Sequence, residues 1–511
     1  MSLNNLELDL NSLVVTAAQM QELEEQMFAA GLPVAALMEK AALRLGDRLQ
    51  QLYPPTGFKR VGVLAGPGHN GGDALVVARE LHLAGYEVTL YLPLELRKPL
   101  TQSHAHYAQA LGLPLSRHLE ELRPQDWWLD GLFGIGLSRP LTPETAAWVE
   151  ALNQGGQPVV SIDIPSGLHT DTGATLGVAI QAQRSFCLGL WKRVYFQDQA
   201  LAALGQVEKI DLGLPSPWVA RVLGATAPVR LFTPEHFKHY LPAARPLVTH
   251  KYQQGHALLI CGSRRYPGSA ILTALGARAS GVGMLSLAVP QSLRDLLVSH
   301  CPEALIWECP ETPQGAIAAL PDLKLGRFDV IAAGPGLTTE NPLLISTLLE
   351  CHLPLILDAD ALNILAQNQD LSPLGSRLAP TLLTPHVGEL QRLFPHLDSG
   401  DRLEAAQSSA QQSGATVLLK GARTVIAAPQ GPTWLIPDSS PALARGGSGD
   451  VLTGLLAGLW AQRPQRAEIV AALGANWHAQ AGLQTAHHRT LLGVDAFTLS
   501  QELIPTLAKI Y

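Results

Sequence analysis

In "ARGGSGDVLTGLLAGLW", three of the four residues Gly446–Gly449 are glycine, and Asp450 is the first charged group after them, at the head of an apolar helical run. An ordinary N-cap explains one acid at such a place, but a cap does not need a glycine cluster. Consecutive free N–H groups at a helix start form an anion nest. A carboxylate beside it can take the proton of a hydroxyl that attacks a phosphoryl group. Other groups fall at strand ends, where open parallel sheets bind ligands: "ILDADALN" supplies Asp358, Asp360 and Asn363, and "AAGPGL" lets backbone come close at Gly334 and Gly336. Taken singly, these also read as caps and turns. In "LLTPHVGEL", Thr384 and Pro385 fit the N-cap and first position of a helix, which leaves His386 and Glu389 over. "LLKGARTVI" reads as a hairpin whose turn carries Lys420 and Arg423, either a solvated basic turn or a clamp on phosphates. Together these loops point to phosphoryl transfer without a Walker lysine motif.

A second constellation lies near the start of the chain. In "RVGVLAGPGHNGGDALVVARELHLAGYEVTLYL", Gly66, Gly68 and Gly71 fit the G-x-G-x-x-G of a dinucleotide site. Two features argue against a redox coenzyme there. No acid follows the second strand to hold a ribose, since Pro93 and Leu94 stand in its place, and Asp73 in the first turn of the helix would meet a pyrophosphate with like charge. Backbone must still come close to something here, with amide and carboxylate side chains at hand.

The elements that position these groups follow from patterning. From Arg60 onward, short strand-like runs ("RVGVLAG", "EVTLYL", "WWLDGLFG", "PVVSIDIPSG", "RSFCLGL") alternate with helical ones, which predicts a mostly parallel sheet with helices on both faces. An amphipathic segment from Thr16 to Tyr53, broken at Gly31–Pro33, precedes them and should pack on the sheet or on a partner. The Pro-rich stretch between "VEKIDLGLPSPW" and "APVRLFTPEHF" is the best linker. A second α/β series then runs from "GHALLICGS" to "TWLIP" and ends in helices Asp450–Gln462 and Ala467–His488.

At 511 residues the chain exceeds one core, so two domains are expected. A net charge of -7 without a Lys/Arg run argues against a nucleic-acid partner and for small molecules. The five cysteines form no CxxC pair, and no stretch is long and apolar enough to span a membrane. A soluble cytoplasmic protein is the expectation.

In order along the chain, "GSRRYPGSAILTALGARASGVGMLSLAVP", "AAGPGL", "LDADALN", "LTPHVGEL", "LLKGARTVI" and "GGSGDVLTG" strongly resemble the NAD(P)H-hydrate dehydratase family, which has a ribokinase-like fold. "LMEKA", "AGPGHNGGD", "DGLFGIGLSRP" and "SIDIPSGLHTDTG" resemble its usual fusion partner, the NAD(P)H-hydrate epimerase domain. The resemblance covers nearly the whole chain from about Thr16 and implies a Rossmann-like three-layer α/β/α epimerase domain over residues 1–222 and a ribokinase-like α/β dehydratase domain over 223–511. On this reading a nicotinamide nucleotide does bind, as damaged substrate. The epimerase interconverts R and S hydrates, and the dehydratase restores NADH or NADPH from the S form, releasing AMP and phosphate. Fused chains of this domain order resemble ADP users, so ADP is the expected co-substrate, with magnesium. A homo-oligomer is expected, with the N-terminal helices able to mediate it.

Carried over position by position, the resemblance makes His69, Asn70, Gly71, Gly72 and Asp73 a substrate loop, and Asn70, Asp130 and Ser166 potassium ligands. Gly134, Ile135, Gly136, Leu137, Ser138, Arg139 and Pro140 would cradle the pyrophosphate, with Arg139 its charge partner. Asp163 would be the acid/base that moves the hydroxyl between ring faces, with Lys192 assisting. In the second half, Asp450 matches the catalytic base. Lys420, Gly421, Ala422, Arg423, Thr424 and Gly449 match nucleotide contacts, and Ser269, Gly336 and His386 match substrate contacts. Some positions depart from the family pattern: His69 stands for an amide, Ala74 for a glycine, Gly131 for the commoner alanine, Ser269 for alanine and Ser448 for threonine. The alternatives are a ribokinase-like small-molecule kinase with a regulatory first domain, and an RNA-decapping scaffold. Intact Asn70, Asp130, Asp163 and Ser166 weigh against the scaffold.

Overall fold

The computed structural model describes residues 9–224, 228–242, 245–463 and 466–510; of the expected linker, residues 225–227 lie outside the described set. The chain forms two compact units, Met1–Pro228 and Val229–Tyr511.

The sheet of the first unit runs β4 (Leu115–Ser116), β3 (Glu87–Tyr91), β2 (Arg60–Ala65), β5 (Trp127–Gly131), β6 (Val159–Ile162), β7 (Arg184–Leu188) and β9 (Gln206–Ile210), with every neighbouring pair parallel. A strand covered on both faces is mostly apolar, and all five residues of β5 are buried, Asp130 being its one charged member. A short parallel pair, β1 (Leu13–Val15) with β8 (Trp191–Lys192), adds to the unit. Strand order reverses between β2 and β5, so the loops after Ala65 and Gly131 open a crevice there. The N-terminal segment breaks where expected. Thr16 and Gln19 form a capping box for helix Ala17–Ala29, Gly31 turns with φ +103°, and Pro33 precedes helix Val34–Leu52. That second helix buries Leu37, Met38, Ala41, Leu45 and Leu49 in the core beside helix His69–Leu83.

In the second unit the strand order is β13 (Leu305–Cys309), β12 (Met284–Pro290), β11 (His256–Ile260), β14 (Val330–Ala333), β15 (Leu355–Leu357), β16 (Thr381–Leu383), β17 (Thr416–Leu419), β18 (Thr424–Ala427), β19 (Thr433–Ile436) and β10 (Val229–Leu231). Pairing is parallel except for the β17–β18–β19 hairpins. Order reverses here between β11 and β14. Helices Pro267–Ala279 and Ser448–Gln462 cross very closely, because Gly276, Gly454 and Gly458 leave no room for a Cβ: one on Gly454 would lie 1.8 Å from the Thr273 carbonyl oxygen. This seam fixes where the second helix starts. Helix Ala467–Arg489 follows, and then a helix not expected from sequence, Ala496–Ile510, which contains Pro505 and buries Leu499 and Leu503. Strand β13 was also not expected. The units are the α/β classes expected, Rossmann-like and then ribokinase-like. All five cysteines are free thiols, and among the described residues no helix is long and apolar enough to cross a membrane.

Candidate active sites

At the β2/β5 crevice of the first unit the glycines act through packing. A Cβ on Gly66 would lie 1.7 Å from the Leu132 carbonyl oxygen, and one on Gly71 would lie 2.0 Å from that of Gly66, whereas Gly68 has open space. The G-x-G-x-x-G pattern therefore closes the loop onto β5 and starts the helix at His69. Asp73 lies one turn into that helix, not in its first turn as the sequence suggested. The loop opens on a cavity of about 600 Å³ lined by His69, Asn70, Asp73, Gly134–Leu137, Asp163, Lys192 and, from helix Ala17–Ala29, Glu24. Ser138, Arg139 and Pro140 are exposed and do not line it.

Beneath the cavity Asp130 is fully buried and takes four donors: the Ser161 and Ser166 hydroxyls at 2.8 and 2.6 Å, and the Ser166 and Leu132 amides at 2.9 and 3.2 Å. Burial pushes its carboxyl up, and those four bonds pull the other way. Ser166 Oγ also accepts from the Phe133 amide at 2.9 Å, so the hub fixes the loop that carries Gly134. Asn70 Nδ2 is buried without a partner among the described residues, and a Cβ on Gly134 would stand 3.3 Å from both Asn70 Oδ1 and Asp163 Oδ2. These oxygens suit a hard cation. Asp130 is already saturated, so it could serve a cation only if a donor such as the Ser166 hydroxyl turned away.

Asp163 follows β6 with φ +62°, a left-handed conformation that a non-glycine residue holds only where its surroundings impose it. Tyr195 donates its hydroxyl to the Asp163 carbonyl, and the Leu188 amide donates to Oδ1 at 3.3 Å. Lys192, 1% exposed, places Nζ 2.6 Å from Oδ1 and also donates to the Leu188 carbonyl. Burial alone would lower the Lys192 ammonium, but Asp163, Cys187 and Glu24 outweigh it and hold it above its usual value. Two further acids share the cavity. Burial, then Asp163 and Glu24, push Asp73 well above the carboxylate range, and burial brings Glu24 to about 7 against the opposing pull of Lys192.

Ala74 and Gly131 meet in one contact. A Cβ on Gly131 would lie 2.4 Å from the Cβ of Ala74, so alanine at 74 needs glycine at 131.

In the second unit, Ser448–Gln462 starts after Gly447, the N-cap, at φ +89°, and Asp450 is the third residue of the helix without a capping bond. The alternative of a plain cap at Asp450 therefore falls away. Asp450 is hydrogen-bonded to Ser269, at the start of helix Pro267–Ala279; burial raises its carboxyl to about 6, Ser269 and Lys420 lower it, and Asp358 and Asp360 raise it. Gly336, at φ +65°, backs onto Ser269, 2.8 Å from its Cβ were a side chain added. Asp358 is buried and accepts from Lys420 Nζ at 2.8 Å and Thr453 Oγ1 at 2.7 Å. A Cβ on Gly449 would meet Lys420 Nζ at 3.6 Å, which sets the lysine against the helix start. Asp360 opens helix Asp360–Asn368 and accepts from the Thr338 amide at 2.8 Å. Ala359 and Thr338, like Asp163, hold positive φ. Backbone strain thus gathers at both sites.

His386, not Thr384, is the N-cap of helix Val387–Leu393: its Nδ1 accepts from the Glu389 amide at 3.2 Å, and Glu389 accepts from the His386 amide at 2.8 Å. Thr384 and Pro385 still belong to the strand register, since the Lys420 amide donates to the Pro385 carbonyl at 2.8 Å. His386 therefore stands beside Lys420, with Glu389 3.9 Å from its ammonium. In the hairpin turn Gly421 and Ala422 are exposed, and Thr424 begins β18. The Arg423 Nη1 donates to the Ala422 carbonyl at 3.2 Å. Sequence reading missed Glu24, Tyr195, Thr453 and His478, whose Nε2 meets the Ser448 carbonyl at 2.9 Å and whose ring burial holds near 4.

A family profile described as NAD(P)H-hydrate dehydratase matches residues 257–505, and one described as YjeF-related protein N-terminus matches residues 34–194. A bifunctional NAD(P)H-hydrate repair enzyme from Synechocystis is 56% identical over 494 residues, covering 96% of this chain and 94% of that protein. One from Thermosynechococcus vestitus is 52% identical over 499 residues, covering 97% of each. Among solved structures, an ADP/ATP-dependent NAD(P)H-hydrate dehydratase from Bacillus subtilis co-crystallized with ATP/Mg2+ is 31% identical, covers 56% of this chain and 100% of its own, and has a TM-score of 0.49.

Proposed function

The chain belongs to the bifunctional NAD(P)H-hydrate repair enzymes, and from that premise we propose how its residues divide the work. The enzyme epimerises the R and S hydrates of NADH and NADPH and dehydrates the S form at the expense of a nucleotide. We assign epimerisation to residues 1–222 and dehydration to residues 223–511. The observation that carries the assignment is that each unit sets a carboxylate, Asp163 in one and Asp450 in the other, beside the loops at the point where its own strand order reverses.

In the first site the nicotinamide end of the hydrate enters the cavity. Asp163, held by Lys192, exchanges a proton with the ring hydroxyl or with water. Asn70, Asp130 and Ser166 are the residues that would hold potassium, whose charge would offset Asp130 and the substrate's pyrophosphate. In the second site Asp450 takes the proton of the ring hydroxyl while its oxygen attacks the terminal phosphoryl group of ADP. The N–H groups at Gly449 and the Lys420 ammonium lie where charge develops. Hydroxide, a poor leaving group, has become phosphate. The lone pair of the ring nitrogen expels it, and loss of a neighbouring proton restores the double bond. Among the described residues no group of three His, Cys, Asp or Glu could hold a metal unaided, so magnesium would enter on the nucleotide's own phosphates. We place the enzyme in the cytoplasm, where its five thiols would stay reduced.

Incubating the chain with acid-aged NADH and ADP while following the reduced-nicotinamide absorbance tests this assignment. Recovery of absorbance with release of AMP is the expected result. A stable phosphorylated product without NADH would instead indicate a small-molecule kinase.

A further inference from the structure

The Asp163–Lys192 pair reaches the epimerase cavity from strand ends, on β6 and β8. A different wall, helix Ala17–Ala29, brings Glu24 to the same space. Among the described residues its carboxyl has no hydrogen-bond or ion-pair partner, yet it lies close enough for its charge to act on Lys192, Asp163 and Asp73. A surface helix of a globular protein turns its charged face to water. Glu24 instead faces a cavity, whose rim the exposed Glu25 also reaches, whereas the exposed Glu22 on the same helix does not.

Moving a hydroxyl from one face of a ring to the other requires a proton donor where the oxygen leaves and an acceptor where water returns. One carboxylate serves one face. We propose that Glu24 is the second catalytic acid/base of the epimerase site, acting on the ring face opposite Asp163; this rests on the epimerase reading of the first unit. In one direction Glu24 gives its proton to the ring hydroxyl, and the C–O bond breaks to release water. The lone pair of the ring nitrogen forms a C=N bond. A water on the other face then forms the new C–O bond, gives its proton to Asp163, and the pair returns to nitrogen; the proton on Asp163 then passes back to Glu24 through solvent in the open cavity, which restores the starting state. The reverse reaction uses the same groups with roles exchanged, so one water is released and one consumed in each direction.

Lys192 offsets charge on the Asp163 side. Among the described residues no cation pairs with Glu24, and burial brings its carboxyl to about 7, where both forms are populated at neutral pH. Burial, then Asp163 and Glu24, push Asp73 well higher, which favours its hydrogen-bond-donating form. The other titratable or charged groups facing the cavity are Glu25, His69 and Lys98.

The test uses the full chain with Glu24→Gln, Glu24→Asp and Asp163→Asn, and follows R-to-S exchange of purified R hydrate together with dehydration of purified S hydrate. Glu24→Gln should slow exchange about 10²- to 10⁴-fold and abolish the inflection near pH 7 in the wild-type rate, with S-hydrate dehydration within about two-fold. Glu24→Asp should keep part of the rate and an inflection. Exchange by Glu24→Gln within about three-fold of wild type, with the inflection intact, overturns the proposal. So does an equal loss in both Glu24 variants at every pH with a lowered melting temperature, which marks a packing role. If wild type exchanges no faster than the uncatalysed reaction, the epimerase reading itself falls. If wild type exchanges and Asp163→Asn does not, while Glu24→Gln does, only the role of Glu24 falls.

Discussion

The two carboxylates assigned to chemistry are held in opposite ways. Asp163 is tied directly to a buried ammonium at 2.6 Å on strained backbone. Asp450 sits on relaxed helical backbone near an ammonium, Lys420, whose hydrogen-bonding attention is taken by Asp358 at 2.8 Å. The difference fits the two tasks. An epimerase returns its groups to the starting state after a proton is handed across a ring, so a fixed charge pair suits it. A base that activates a hydroxyl toward phosphate must keep some affinity for the proton. If Lys420 were bound to Asp450 instead, it would drive the Asp450 carboxyl down. Asp358 diverts the lysine, burial raises Asp450, and a base near 6 results.

The largest effect that can break this comparison comes from Asp450→Asn. Nucleotide-dependent recovery of NADH should fall at least about 10³-fold, with R-to-S exchange unchanged. Because folding raises this carboxyl, its ionised form works against stability above about pH 6, so the neutral amide should melt no lower than wild type at pH 8. Turnover near wild type would remove Asp450 from the mechanism. A smaller effect sharpens the tuning. Ser269 lowers the Asp450 carboxyl, so Ser269→Ala should move the acid limb of the dehydration rate upward from about pH 6 while costing about three-fold or less at pH 8. An unmoved limb would show that Ser269 does not set it. The smallest effect concerns packing in the first unit alone. Gly131→Ala should destabilise it by about 1–3 kcal/mol in denaturant unfolding, and adding Ala74→Gly should recover part of that loss, since the 2.4 Å clash disappears while the tight approaches to the Asn70 and Leu64 carbonyl oxygens at 3.1 and 3.2 Å remain. Additive losses would deny the coupling.

How much of this could be read beforehand depended on whether chemistry left a pattern. Asp450 and Asp358 were legible because glycines and strand ends flank them, and the alternation of strands and helices predicted both sheets. The N-cap in "LTPHVGEL" was misread because Thr-Pro is a good helix start taken alone; the bond from the Lys420 amide to the Pro385 carbonyl, across the sheet, delays the helix to His386. Ser138, Arg139 and Pro140 matched a motif whose first four residues line the cavity while these three stay exposed, a boundary that depends on how the loop bends. Glu24 left no trace, because "QELEEQM" looks the same whether a glutamate faces water or a cavity. Helix Ala496–Ile510 was overlooked, and Pro505 stands within it.

The central claim is that one chain carries two independent catalysts, and a complementation assay on a mixed R/S hydrate pool tests it most directly. With ADP present, Asp163→Ala protein should convert the S fraction quickly and then slow to the uncatalysed rate of R-to-S exchange, Asp450→Asn protein should recover almost no NADH, and a mixture of the two should consume the whole pool as substrate diffuses between them. A mixture that still stalls after the S fraction, with both variants shown to be folded, would contradict the account.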